Sequence, residues 1–430
     1  MPTFRRAFAA AAFAALVLPL SACGSGSDGG GSSDASGKVE GDITFQTWNL
    51  RANFKSYFEG VIADFEKQYP GTHVKWVDQP AEGYPDKISA DAAGGTLPDV
   101  VNVSPDLVAP LAKAGFALDL DKSAAKYKKE YLEGAWASHQ IPGMTGTYAF
   151  PWYLNTGPMF YNKSLFKQAG LDPDQPPKTY DELFTDALEL AKKSDGKVAT
   201  LANVPTVEDF GRYGVELMNK AGTGFAFNDA KGVELLTKYK ELYDAKALDP
   251  QALTATPESS GKKFLTGAVA MNPGSALDLG NFKKQAPNLY KNIGITDQIT
   301  STGHVNMYVM GLMVNAQTKK KPAAIAFAHY VTDAEHQMSF AKKVAIFPST
   351  AGSLDDPYFT KEDGTDETRI RIAAAKSLKT AVNYTPVLFS DQMKTALRNE
   401  VAKALQGKES PEDALDNAVK ACDTLLKQQG

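Results

Sequence analysis

Histidine, serine and carboxylate side chains are where reaction chemistry could sit in this 430-residue sequence, and the arrangements that enzymes need are mostly missing. The five histidines (73, 139, 304, 329 and 336) form no His-Glu-x-x-His pair, in which one helical turn aims two imidazoles at zinc; no metal site is expected. No Gly-x-Ser-x-Gly turn presents a serine nucleophile. Gly24-Ser25-Gly26-Ser27-Asp28-Gly29 has the glycine spacing of a dinucleotide loop, but no strand precedes it, so no cofactor is implied. The pairs Asp119/Asp121 and Asp355/Asp356 could be the acid and base of a glycosidase, although such pairs more often occupy loops and caps. No catalytic residue is assigned.

What remains is aromatic and amide-rich: Trp48-Asn49, Trp152-Tyr153-Leu154-Asn155 and His304-Val305-Asn306-Met307-Tyr308. Sugars present apolar C–H faces and rings of hydroxyls, so a sugar site needs flat aromatic plates beside Asn, Asp, Gln or Arg. Arg51 and Arg212 are the side chains that could instead pair with a charged ligand.

Positioning these groups requires a scaffold that alternates. Residues 43–47 read as a strand ending at Trp48, and Phe54, Tyr57, Phe58, Val61, Ile62 and Phe65 then recur at helical spacing. Strands at 73–77 and 99–103 and helices at 85–93 and 105–114 follow, a pattern that builds a parallel sheet with its ligand crevice at the strand C-terminal ends. After Tyr148-Ala149-Phe150-Pro151 the alternation restarts, which implies a second lobe. It contains a capping box at Thr179/Glu182, a strand at 198–202, helices at 207–220 and 229–245, and a strand at 268–271. A strand at 308–314, a helix at 322–331 and a last helix from Ser410-Pro411 complete the chain. Cys422 shares a helical stripe with Leu415, Ala418, Val419, Leu425 and Leu426 and reads as a buried structural thiol.

The first residues read as an address. Arg5-Arg6, the apolar run 7–20 and Leu20-Ser21-Ala22-Cys23 form a signal peptide (1–22) too short for a permanent span, and Leu-Ser-Ala-Cys is similar to a bacterial lipobox. Cys23 is then the lipidated, palmitate-bearing N-terminus; an ordinary signal peptide with an incidental cysteine is the alternative, and general and twin-arginine export both fit. Residues 24–37 hold six glycines and five serines, a composition that cannot bury apolar surface, so 23–37 is an anchored tether. The formal charge of −4 carries no basic cluster, which excludes nucleic acid as a partner.

The ordered motifs Gly95-Thr96-Leu97-Pro98-Asp99-Val100-Val101, Phe150-Pro151-Trp152-Tyr153, Tyr161-Asn162-Lys163-Ser164-Leu165-Phe166, Pro177-Lys178-Thr179-Tyr180-Asp181-Glu182-Leu183 and Gly267-Ala268-Val269-Ala270-Met271 resemble those of extracellular solute-binding proteins (family 1, maltose-binding-protein-like) of ATP-driven (ABC) sugar importers. The resemblance implies an α/β, two-lobed periplasmic-binding-protein fold of type II with crossing hinge segments. Lobe 1 is expected at 38–152 plus 277–330 and lobe 2 at 153–276 plus 331–430. It implies a monomeric, lipid-anchored receptor on the extracytoplasmic face of the cell membrane, which captures a mono- or oligosaccharide and delivers it to the transmembrane subunits of an ABC permease without catalysis. Carried over by motif, the ligand residues are Trp48, Asn49, Ser104, Asp106, Trp152, Tyr153, Asn155, Gly274, Ser275, Asn306 and Met307. Ser275 stands where relatives often carry an aromatic plate. A secreted glycoside hydrolase and a binding protein for a non-sugar solute are the rival readings.

Overall fold

The computed structural model describes residues 37–255 and 257–428; the leader, Cys23 and the tether up to residue 36 lie outside the described residues. The strands are β1 (Gly41–Trp48), β2 (Thr72–Gln79), β3 (Val100–Val103), β4 (Phe150–Asn155), β5 (Met159–Asn162), β6 (Met271–Pro273), β7 (Ile293–Thr296), β8 (Tyr308–Val314) and β9 (Phe347–Pro348). They form a larger sheet, ordered β2-β1-β3-β8-β4-β9, and a smaller one, ordered β6-β5-β7. This is the α/β, two-lobed type II architecture expected from the sequence.

The larger sheet starts as the alternation requires, with β1 parallel to both β2 and β3. It does not stay parallel. β8 runs antiparallel to β3 and β4, and β9 antiparallel to β4. The strand–helix pattern assumes that each strand returns to its own sheet through a crossover helix; β8 instead arrives from β7, in the other sheet. The β4–β8 register shifts between Pro151 and Tyr153, where proline has no N–H to give the ladder.

Helices cover both sheets. Arg51–Gln68 buries Phe58, Val61, Ile62 and Phe65, the stripe its spacing anticipates. These side chains pack with Phe45, Trp152, Phe327 and Phe340 into an aromatic core on the larger sheet. Around the smaller sheet pack Tyr180–Lys193, opened by the Thr179/Glu182 capping box, and Ala230–Asp244, Asp391–Leu405 and Pro411–Gln428. Cys422 is buried among them, and burial pushes its thiol pKa up to about 12. Three elements differ from their sequence reading. The strand expected over 268–271 is β6, Met271–Pro273, which begins where the expectation ends. The helix expected over 207–220 spans only Val207–Tyr213, because Gly214, at φ 97°, adopts the left-handed cap that stops it. Residues 198–202 make only single bridges, Ala199 to Val269 and Leu201 to Leu248, in place of a strand.

The chain passes between the sheets at 156–158, from β4 to β5, and at 297–307, from β7 to β8. A third passage, 379–390, links the helix Asp366–Leu378, packed by Leu378 on Leu154 and Val309, to the helix Asp391–Leu405. The expected lobe boundaries fall elsewhere. β4 stays in the larger sheet to Asn155, β7, expected with lobe 1, pairs in the smaller sheet, and Ala334–Ala341, expected with lobe 2, packs by Phe340 on the larger sheet's core, as Lys321–Thr332 does.

Candidate functional site

A cavity of about 830 Å3 opens beside the first passage. From the larger sheet's side it receives Asn155, Asn306 and Tyr308. Antiparallel pairing sets Asn155 opposite Tyr308, which brings the end of β4 and the start of β8 to one place. The remaining wall comes from helices and loops around the smaller sheet, including Tyr180, Asn203, Glu208, Asp209, Arg212, Tyr239, Gly274, Gln298, Phe389 and Arg398. Tyr308 is 57% exposed, the most exposed large apolar side chain among the described residues. Its hydroxyl pKa is pushed up to about 12 by burial of the oxygen and by the nearby Glu208 and Asp209 charges, with Arg212 opposing them. The phenol therefore stays neutral and can offer both a flat face and a hydrogen bond.

The helix Val207–Tyr213 orders the charged wall. Thr206 and Asp209 form its capping box. The Asp209 carboxylate accepts from the Thr206 N–H (2.8 Å), the Tyr180 hydroxyl (2.8 Å) and Arg212 Nη2 (2.6 Å). Arg212 also donates from Nη1 to the Ile299 carbonyl at 3.1 Å. Asp209 and Arg212 thus neutralise one another inside the wall. Glu208 accepts from the Thr385 hydroxyl at 2.6 Å and forms no ion pair among the described residues. At the far end Arg398 Nη2 donates to the Leu253 and Ala255 carbonyls, at 3.1 and 2.9 Å. Among the described residues no cluster of three or more His, Cys, Asp or Glu side chains could hold a metal ion.

Three of the sequence-derived ligand residues, Asn155, Gly274 and Asn306, line this cavity. Gly274 has to be glycine: a Cβ there would overlap the Phe160 ring. Ser275 is committed elsewhere, forming with Asp278 the capping box of the helix Ala276–Gln285. Trp48, Asn49, Ser104 and Asp106 sit at the C-terminal ends of β1 and β3, away from the lining. Trp48 is half-buried edge-on to Tyr84, with ring centres 4.7 Å apart. Trp152 is 1% exposed, stacked on Phe340 at 5.9 Å, and Tyr153 is half-buried beside it. Met307 is likewise 1% exposed, in the cluster of Leu154, Val309 and Leu378.

The sequence matches the family model of bacterial extracellular solute-binding proteins over residues 51–338, more than half of the chain. The chain belongs to that family. Among relatives of this solute-binding protein, the diacetylchitobiose binding protein DasA of Streptomyces coelicolor is 25% identical, covering 80% of this chain and 82% of the relative. The sn-glycerol-3-phosphate-binding periplasmic protein UgpB of Yersinia pseudotuberculosis is 25% identical, covering 65% and 66%. The sugar-binding protein MalE of Xanthomonas citri shares the fold, with a TM-score of 0.72 at 20% identity, covering 90% of this chain and 98% of the other. Family membership and fold agree with the resemblance carried by the ordered motifs, and the family is one of binding proteins.

The sequence reading of the solute-binding protein placed Tyr308 in an aromatic, amide-rich cluster without naming it as a ligand residue, and it did not single out Tyr180, Glu208, Asp209 and Tyr239 as wall residues. Their only local signals were the aromatic opening of the 308–314 strand and the Thr206-x-x-Asp209 cap. Neither reveals that the two elements face one cavity. Arg212 was visible as a candidate, but its partner in the wall was not.

Proposed function

We propose that this solute-binding protein captures a neutral carbohydrate between its two lobes and hands it to the transmembrane subunits of an ABC permease, catalysing nothing itself. The observation that carries the reading is Tyr308, a large aromatic face left open on a cavity lined by four amide side chains, several hydroxyls and an internally neutralised ion pair, together with Glu208, Lys394 and Arg398. The volume falls in the range of about 300–1,000 Å3 typical of small-molecule sites. DasA binds diacetylchitobiose and MalE a sugar, which supports a carbohydrate. The chain acts as a monomer at the extracytoplasmic face of the membrane, held there by a lipid on Cys23 and the Gly/Ser tether. Among the described residues no helix is long and apolar enough to cross a membrane.

One observation favours a second reading, an anionic solute such as a sugar phosphate: Lys394 and Arg398 both reach the cavity, and UgpB is a relative. A melting-temperature screen of neutral oligosaccharides, sugar phosphates and uronic acids separates the classes. The stabilising compound is then titrated calorimetrically at low and high salt. Affinity that stays within a factor of about three supports the neutral sugar, whereas a loss of about tenfold or more would establish an ionic ligand. Recovery of that compound unchanged after prolonged incubation excludes the glycosidase reading, and turnover would restore it. Cys23→Ser should release the folded protein from membranes into the medium; a variant that stays membrane-bound refutes the lipid anchor.

A further inference from the structure

The three passages between the sheets meet at one buried residue. Asn306 is 2% exposed. Its main-chain N–H donates to Gln298 Oε1 at 3.0 Å. Its carbonyl accepts from the Thr156 hydroxyl at 2.8 Å and from Gln298 Nε2 at 3.1 Å. Its side-chain Oδ1 accepts the Tyr384 N–H at 3.0 Å. Thr156 belongs to the first passage, Gln298 to the second and Tyr384 to the third. Gln298 Nε2 also donates to the Thr156 hydroxyl at 2.9 Å, so the links close on themselves.

We propose that Asn306 is a positioning residue: it ties the three passages into one unit and so sets Tyr308 against the opposite wall, a role that rests on the two-lobed capture described above. Passage residues lie outside both sheets, and beyond the single parallel bridge that joins the second and third passages at Asn306 and Val382 their buried polar groups must find partners other than a strand ladder. A carboxamide at 306 supplies the acceptor for Tyr384 that an apolar side chain would withhold. The tie extends to the cavity. The Tyr384 hydroxyl lies 2.6 Å from the Thr302 hydroxyl, its ring fills the space beside Gly211, and neighbouring Thr385 holds Glu208. Asn306 is therefore connected to the helix Val207–Tyr213 on one side and, two residues along the chain, to Tyr308 on the other. A closing motion that hinges on the passages must move these contacts together.

The test uses the solute-free mature chain carrying Cys23→Ser, with spin labels at Lys113→Cys on the larger-sheet half and Lys192→Cys on the smaller; Cys422 is buried and stays unlabelled. Asn306→Ala should speed hydrogen exchange of the Tyr384 amide by about tenfold and broaden the label-to-label distance distribution. Asn306→Asp, which keeps the acceptor oxygen, should restore both. Wild-type exchange and distances in Asn306→Ala would overturn the proposal, as would an aspartate variant that behaves like alanine. Should Asn306→Ala fail to fold, Thr156→Val removes the hydroxyl that bonds both the Asn306 carbonyl and Gln298 Nε2, and so cuts the link between the first two passages while leaving Asn306 in place; it must broaden the same distribution, and an unchanged one overturns the proposal. No solute enters these measurements, so an error in the carbohydrate assignment would leave their outcome untouched.

Discussion

Trp152 on β4 and Tyr308 on β8 are large aromatics on neighbouring antiparallel strands, yet one is 1% exposed and the other 57%. Trp152 points into the aromatic core formed with Phe45, Phe58 and Phe340, and Tyr308 opens onto the cavity. An aromatic on these paired strands is thus equally able to be a core residue or a binding plate. Residue type does not decide between them; register and face do.

The largest effect should come from the buried member. Trp152→Ala is expected to lower unfolding free energy by about 3–5 kcal/mol through lost packing and a residual cavity, measured by urea denaturation. Tyr308→Ala should stay within about 0.5 kcal/mol of wild type in the same assay. Equal losses would erase the distinction between the two strands.

A second test probes the interior of the sheet that carries Tyr308. His139 is fully buried against Gly311 of β8, where a Cβ would meet the imidazole, and neither ring nitrogen has a hydrogen-bond partner among the described residues. Burial pulls its pKa down to about 4, from about 6.5 in an exposed chain. The unfolded state therefore takes up the proton first. The stability His139 contributes should be complete above pH 6.5 and fade as the pH falls toward 4, by about 3 kcal/mol in all. Unfolding free energy measured across that window should slope less in His139→Gln; an unchanged slope would assign the acid sensitivity to other groups.

The smallest effect is on binding. Loss of one stacking ring is worth about 1–3 kcal/mol, so Tyr308→Ala should weaken affinity by roughly 5- to 150-fold for the compound found in the melting screen. Tyr308→Phe should retain most of it. Trp48→Ala should change little, since Trp48 lies outside the cavity lining. A larger loss from Trp48→Ala than from Tyr308→Ala would move the site to the C-terminal end of β1.

Much of this was readable in advance, for physical reasons that act over short stretches of chain. The helix Arg51–Gln68 follows from apolar spacing, the Tyr180–Lys193 helix from its capping box, and the Cys422 stripe from one helical face. The family followed from ordered motifs, each local. The site was legible only in part. Asn155 borders the first passage, Asn306 lies in the second, and Gly274 donates its N–H to the Pro158 carbonyl beside the first, so their place in the family pattern pointed to them as candidates.

By itself, then, the sequence determined the helices and most strands, the two-lobed class, the family, and the shortage of catalytic patterns, because periodicity, caps and short motifs are properties of neighbouring residues. Only the tertiary structure decided that β8 enters the larger sheet antiparallel, that Trp152 faces inward, and that Tyr308 meets Glu208, Asp209 and Arg212 across a cavity. These outcomes depend on pairing between segments more than 200 residues apart, as where Val100 of β3 pairs with Val314 of β8. A strand's alternation says which residues share a face, but only its neighbours decide whether that face meets a core or a solute.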